Sequence, residues 1–235
     1  MHREAGPPSE PMARREFTRQ LEALRTAVVD LGGTVVERLE AAAEAFESGD
    51  ESLARDVIAG DDRVNERHLG IERDCIDLFA LQQPVASDLR EVAAAYKIST
   101  DIERVGDLAV NVAEYAIALE RELYPEVPLA DLTGTAVRMV EDAVAAYAES
   151  GDAWRCRELA DRDTRLDAMC AHAGEVITRA LLEREATDSE DVEGLVADVT
   201  TLMLVVRDLE RIGDHAVNIA ARTLYITEND DSLLE

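Results

Sequence analysis

The sequence has few aromatic residues, few cysteines and no long apolar run. Aromatic side chains make up 4% of the 235 residues while 47% of all residues are apolar, so the core must be built from Ala, Val, Leu and Ile. The three cysteines are an odd number without a CxxC spacing, which excludes a disulfide framework and indicates a reducing cytoplasm. Since no run of about 18 apolar residues occurs, no membrane span is predicted.

Basic residues are also scarce, with 24 Lys and Arg against 51 Asp and Glu, and the net charge is −27. A field of this sign repels nucleic-acid phosphates and attracts cations, so nucleic acid is not an expected partner. Lys97 is the one lysine in the chain. An acidic, lysine-poor surface suits a salt-rich cytoplasm, where screening weakens self-repulsion, and this predicts a halophilic source.

The 12 glycines and 6 prolines cluster at a few places, and apolar residues between them recur at steps of three and four. This periodicity is typical of long helices. Within the first helix, Gly32-Gly33 predicts a kink or close packing, and Ser48-Gly49-Asp50 predicts a helix stop followed by a new N-cap. Six helices are predicted, at about residues 14–47, 51–81, 85–123, 129–149, 153–185 and 190–226.

An eleven-residue motif occurs twice, 107 positions apart. Asp101–Asn111 reads DIERVGDLAVN and Asp208–Asn218 reads DLERIGDHAVN, with eight of eleven positions identical. The repeat predicts an all-α chain of two tandem, similar three-helix bundles. The predicted divisions are a disordered N-terminal tail at 1–13, bundles at 14–124 and 125–228, and an acidic C-terminal tail at 229–235.

Carboxylate and amide side chains recur on one face of each motif helix, opposite the apolar stripe. A single pair of acids four residues apart is ordinarily just a solvated face, but like charges at this spacing weaken a helix. Their recurrence in both halves, with further acids on the preceding helices, instead favours a metal site built from hard oxygen donors, which suit Mg²⁺, Mn²⁺ or iron, with Zn²⁺ as an alternative. The predicted ligands are Asp61, Asn65, Glu103, Asp107 and Asn111 in the first half, and Asp163, Asp167, Glu210, Asp214 and Asn218 in the second.

Other residues give weaker signals. Gly106 and Gly213 recur inside helices, where each costs about 0.5–1 kcal/mol against Ala, and they predict that a helix or a metal cluster approaches closely. His215 is a candidate accessory ligand or an ordinary half-exposed histidine. Trp154 is expected to pack between helices. No ExxH or nucleotide-binding motif occurs, which argues against a di-iron oxidase or an NTPase.

Taken in order along residues 14–226, these motifs resemble the PhoU family. The opening Phe17-xxx-Leu21, the segment from Gln82 to Arg90 and the two Glu-Arg-x-Gly-Asp stretches carry the resemblance. It implies a fold of two three-helix bundles whose E(D)xxxD motifs hold multinuclear metal clusters, often of iron. Asn65 stands where the second half has Asp167, which implies that the two sites differ in affinity or nuclearity.

The resemblance also implies a cytoplasmic, non-enzymatic, negative regulator of phosphate uptake and of phosphate-starvation signalling. The implied partners are the ATPase subunit of a phosphate ABC transporter and a sensor kinase, and a homo-oligomer, a dimer, is expected. Asp88 and Arg90 are candidates for an exposed docking surface or for a helix cap. Two alternatives stay open: a carboxylate-bridged di-metal enzyme, and a metal-free helical adaptor.

Overall fold

A computed structural model describes residues 10–81, 86–119, 127–149, 153–185 and 192–234. Within these residues the chain forms α-helices and no β-strand. Of the predicted disordered tail at 1–13, residues 1–9 lie outside the described residues, as does the segment 82–85, whereas residues 10–13 form the start of the first helix. The helices are α1 (Glu10–Ser48), α2 (Glu51–Ala59), α3 (Asp61–Leu81), α4 (Ala86–Ala118), α5 (Leu129–Ala148), α6 (Ala153–Glu185) and α7 (Val192–Glu228).

The turn between α1 and α2 follows the predicted chemistry. Gly49 has a positive φ of 68°, a conformation that glycine adopts without strain. Asp50 Oδ1 then accepts hydrogen bonds from the backbone N–H groups of Ser52 at 2.9 Å and Leu53 at 3.1 Å. A carboxylate in this N-cap position satisfies donors that the first helical turn leaves unpaired, so it fixes where α2 begins.

The second predicted helix, 51–81, is interrupted once. Gly60 separates α2 from α3, and the guanidinium of Arg38 lies so close that a Cβ at this position would meet Arg38 Nη1 at 2.1 Å. Asp61 and Asp62 form the first turn of α3, where negative charge is favourable. The periodicity alone did not show this break because apolar residues continue across it.

The seven helices of the described residues form two bundles around one continuous hydrophobic core. The short α2 and α3 together take the place of one helix in the first bundle. In the first, α1, the α2–α3 pair and α4 pack on each other; in the second, α5, α6 and α7 do. The bundles meet where α4 packs on α7 and α1 packs on α5. Buried aliphatic side chains and all three cysteines fill the core, as composition predicted. The all-α fold of two tandem, similar bundles, which the repeat predicted, is therefore confirmed.

The adjacent glycines of α1 lie in different surroundings. A Cβ at Gly32 would meet Val144 Cγ1 at 2.7 Å, whereas a Cβ at Gly33 has nothing within 4 Å. The predicted close packing thus falls on Gly32, where α1 crosses α5, and the helix continues through both residues.

We expect Gly33→Ala to raise the free energy of unfolding by about 0.5–1 kcal/mol, because alanine restricts the unfolded chain and favours the helix. Gly32→Ala should lower it by about 1–3 kcal/mol, because the stiff, β-branched Val144 cannot move aside. Urea unfolding of both variants beside the wild type measures this, and equal effects at the two sites would contradict the packing.

One expectation at the second bundle is wrong. Trp154 does not pack between helices, since 69% of it is exposed. Within the predicted acidic tail, Asp230 is held to the bundle: Arg157 Nη2 pairs with Asp230 Oδ2 at 2.7 Å, and Asp230 Oδ1 accepts the N–H of Ser232 at 2.9 Å. These two donors lower the pKa of Asp230 to about 2, with the backbone hydrogen bond as the larger cause.

Candidate functional site

The two copies of the motif lie side by side and run antiparallel, because α4 packs along α7. Asp208, the first residue of the second copy, accepts hydrogen bonds at 3.0 Å from the amide of Asn111 and from the hydroxyl of Tyr115. Asp208 is 1% exposed. Burial, followed by the nearby charge of Asp208, raises the pKa of Tyr115 to about 12. The start of one motif is therefore bonded to the end of the other.

Asp101, the first residue of the first copy, makes the reciprocal contacts. Its Oδ1 lies 2.9 Å from His215 Nδ1 and 3.5 Å from the amide of Asn218, and Arg222 Nη1 pairs with its Oδ2 at 2.7 Å. Asn111 and Asn218 were predicted as outward-facing ligands, but their amides are engaged at the contact between the bundles. His215 lies in this contact too, and together with Asn218 it lines a pocket of about 630 Å³ that also contains Asp163 and Asp214.

The second-half carboxylates do lie together, because α6 packs on α7. Burial raises the pKa of Asp163 to about 6, and the charges of Asp167, Asp214 and Glu210 contribute in that order. Burial and then the charge of Asp167 raise the pKa of Glu210 and of Asp214; Asp214 adds to the rise at Glu210, while His215 and Arg211 act to lower the pKa of Asp214. Among the described residues, Asp163 Oδ1 is a buried atom without a hydrogen-bond partner. The raised pKa values of Asp163, Glu210 and Asp214 indicate a shared negative field between α6 and α7.

The acidic side chains of the first half are arranged in a similar way, but the cationic side chain of Arg38 lies beside them. Burial, and then Asp107, raises the pKa of Glu103, while burial and then Asp61 raise that of Asp107. Asp61 Oδ1 lies 3.6 Å from Arg38 Nη2, and its Oδ2 accepts the amide of Asn65 at 2.9 Å. The carboxylate that corresponds to Asp163 is therefore partly neutralised from within the protein.

The motif glycines lie where the neighbouring helix comes close, as predicted. A Cβ at Gly213 would meet Leu166 Cδ2 at 2.7 Å and Asp163 Oδ1 at 2.8 Å, and a Cβ at Gly106 would meet Val64 Cγ1 at 3.2 Å. Gly213 thus lets the carboxylate of Asp163 reach α7. The small residue is needed to bring the acids of the two helices together.

The donor set fits a hard metal cation, although its side chains are not arranged as a finished site. Carboxylate oxygens from α6 and α7 converge, which suits a hard cation, and within the described residues the buried Oδ1 of Asp163 has no hydrogen-bond partner. In the described residues, no three acidic, imidazole or thiol groups are arranged to hold a metal ion. Asp167, Glu210 and Asp214 are exposed, so their side chains can change rotamer toward a cation.

We expect metal-free protein to become more stable as the pH falls from about 7 to 5. The pKa of Asp163 is about 6 in the folded protein against an ordinary 3.8, so the folded state holds the proton more tightly than the unfolded chain. Thermal unfolding in EDTA at pH 7.5 and 5.5 measures the effect, and Asp163→Asn should reduce it. A melting temperature that falls over this range would contradict the expectation.

The predicted docking residues near the start of α4 behave differently from one another. Asp88 is buried and paired with Arg14, so the expectation that it is exposed is wrong. Arg90 is exposed, donates to Asn229 and lies 6.0 Å from the ring centroid of Tyr225. Asp101 and Asp208 were not predicted as functional. The sequence did contain a signal for them, because both copies of the motif begin with an aspartate beside the apolar stripe.

The fold and the site define a tandem-repeat helical protein with one cluster of acidic side chains in each repeat. A PhoU domain family model matches residues 28–116 and 129–223. The PhoU homolog 1 of Thermotoga maritima, a phosphate-specific transport system accessory protein, is 32% identical over 215 residues, covering 89% of this chain and 88% of the relative. The Escherichia coli accessory protein PhoU is 31% identical over 218 residues, covering 92% and 87%.

Solved structures agree with the sequence relatives. The crystal structure of PhoU from Pseudomonas aeruginosa has a TM-score of 0.84 and 30% identity, covering 91% of this chain and all of that one. The phosphate transport system regulatory protein PhoU from Streptococcus pneumoniae has a TM-score of 0.81 and 25% identity, covering 91% and 98%. The chain belongs to the PhoU family. These relatives are named as transport accessory or regulatory proteins and not as enzymes. Within the described residues, no helix is long and apolar enough to cross a membrane.

Proposed function

We propose that the chain is a metal-binding negative regulator of phosphate uptake and phosphate-starvation signalling in the cytoplasm. It acts by contact with a phosphate ABC transporter, through the ATPase subunit, or with a signalling partner of that transporter such as a sensor kinase. The observation that carries the proposal is the convergence of repeated acids on α6 and α7 in a chain whose relatives are named as phosphate-specific transport accessory proteins.

The second half is the stronger candidate for the metal. Asp163, Asp167, Glu210 and Asp214 would hold it, with iron as the first candidate and zinc, manganese or magnesium as alternatives. A bound cation would remove the repulsion among these carboxylates and tie α6 to α7. In the first half, Arg38 and Asn65 already serve Asp61, so Glu103 and Asp107 would hold a metal less tightly.

A metal-free adaptor is a second candidate. In the first half, Arg38 already pairs with Asp61, and in the described residues no three acidic, imidazole or thiol groups are placed to hold a metal ion. In that case the surface of the bundles alone would act on the transporter. An enzymatic role has no such support.

The proposed function is tested by phosphate uptake in a strain whose only PhoU protein is this chain. Wild-type protein should hold uptake low when phosphate is plentiful. A variant with Asp163→Asn and Asp214→Asn should release this control if metal is required, and should keep it if the chain is a metal-free adaptor. Uptake that is the same with and without the wild-type chain would contradict both candidates.

A further inference from the structure

Large apolar side chains are exposed at the same two positions of both repeats. Leu89 is 45% exposed and Val196 47%, while Tyr96 and Met203 are each 39% exposed. Each pair is 107 positions apart, which is the spacing of the motif. Since an isolated exposed apolar residue needs no explanation, the recurrence of both positions is what indicates a contact surface.

The helix beside each pair widens the apolar surface. In the first half, Tyr96 lies beside Glu72 of α3, and Ile76 and Phe79 are exposed within the next two turns of that helix. In the second half, Met203 and Leu182 line a shallow depression of about 580 Å³ between α6 and α7. We call these strip 1 (Ile76, Phe79, Leu89, Tyr96) and strip 2 (Leu182, Val196, Met203).

An approximate twofold axis relates the strips. Asp208 bonds to Asn111 just as Asp101 bonds to Asn218, so α4 and α7 exchange places under this rotation. A partner that presents the same segment twice about a twofold axis would match both strips at once.

The charge of the chain decides between a second copy and another partner. Two copies would each bring a net charge of −27, which opposes placing the contact of the expected dimer at these strips, whereas a segment with basic residues around an apolar face is attracted. We infer that strips 1 and 2 dock two equivalent segments, each with an apolar face and basic flanks, of one twofold-symmetric protein partner. This rests on the proposed function, in which the partner is a transporter ATPase, a subunit that works as a pair.

The test measures binding of the wild-type chain to the purified ATPase pair of the same organism's phosphate transporter by isothermal titration calorimetry. We expect one chain for each ATPase pair and weaker binding at higher salt. Leu89→Ser with Tyr96→Ser, and separately Val196→Ser with Met203→Ser, should each weaken binding at least about tenfold, and their combination about a hundredfold or more. Ala23→Ser with Ala59→Ser, at exposed sites of α1 and α2, is the matched control and should bind as wild type.

Binding of two chains per ATPase pair, or loss through one strip alone, overturns the inference but leaves the proposed function standing. If all strip variants bind the ATPase pair with wild-type affinity, the inference is likewise overturned and the proposed function stands. Self-association of the wild-type chain in sedimentation runs, abolished by the serine variants, would show that a second copy covers the strips. If the wild type does not bind the ATPase at all, the inference fails together with the proposed contact to that subunit.

Discussion

Asp208→Ala should lower the free energy of unfolding by about 2–4 kcal/mol, a large share of the stability of a domain of this size. The carboxylate is buried and accepts from Asn111 and Tyr115 across the contact between the bundles. Its removal leaves the half-buried donors of Asn111 and Tyr115 without this acceptor and opens a cavity where α4 meets α7. Denaturant unfolding followed by circular dichroism measures the change.

The matched variants separate this contact from a general effect of losing an acid. Asp208→Asn keeps the shape and one acceptor oxygen and should cost less than Asp208→Ala. Asp56→Ala removes an exposed acid of α2 and should change stability by less than about 0.5 kcal/mol. If Asp208→Ala is as mild as Asp56→Ala, the polar contacts between the motifs do not hold the bundles together.

Replacing Glu210 and Asp214 by Gln and Asn should change stability in opposite directions with and without metal. In EDTA the variant should be as stable as the wild type or more stable, because burial and mutual repulsion disfavour the ionised acids. With Mn²⁺ at about a hundred times its dissociation constant, the wild type should gain about 2.7 kcal/mol that the variant lacks. Urea unfolding in both buffers measures both effects.

The first half supplies the control for this comparison. Glu103→Gln with Asp107→Asn removes the corresponding acids, but Arg38 and Asn65 already compensate Asp61 there, so the loss of metal stabilisation should be smaller. Equal losses in the two halves would show that the internal cation is unimportant. No gain of the wild type in Mn²⁺ would favour the metal-free adaptor.

The sequence predicted the order of the helices well because the residues that end and begin helices act through local interactions. Gly49 and Asp50 set a turn through their own backbone and side-chain chemistry, and the repeated motif fixed the division into two similar bundles. The acids on α3 and α6 could be matched to those on α4 and α7 because helix spacing places them on facing rows. These inferences need no knowledge of distant contacts.

The parts that the sequence did not predict depend on contacts between distant segments. Arg38 reaches Asp61 from α1, and nothing in the spacing around either residue joins them. Asn111 and Asn218 belong to the acidic face by helix spacing, yet the antiparallel packing of α4 on α7 turns their amides toward Asp208 and Asp101. Trp154 is 69% exposed, and the sequence pattern around it did not distinguish this from a position between helices. Such pairings become visible only once the bundles are docked.

The most direct test of metal binding is the metal content of untagged protein, measured by elemental mass spectrometry, for the wild type beside Asp107→Ala with Asp214→Ala. The single variants assign the metal to one half or the other. We predict at least one equivalent of iron, zinc or manganese per chain in the wild type, most of it lost with Asp214→Ala and all of it lost in the double variant. Metal-free wild type, or metal that stays bound in the double variant, would contradict the assignment of a metal site to these repeated acids.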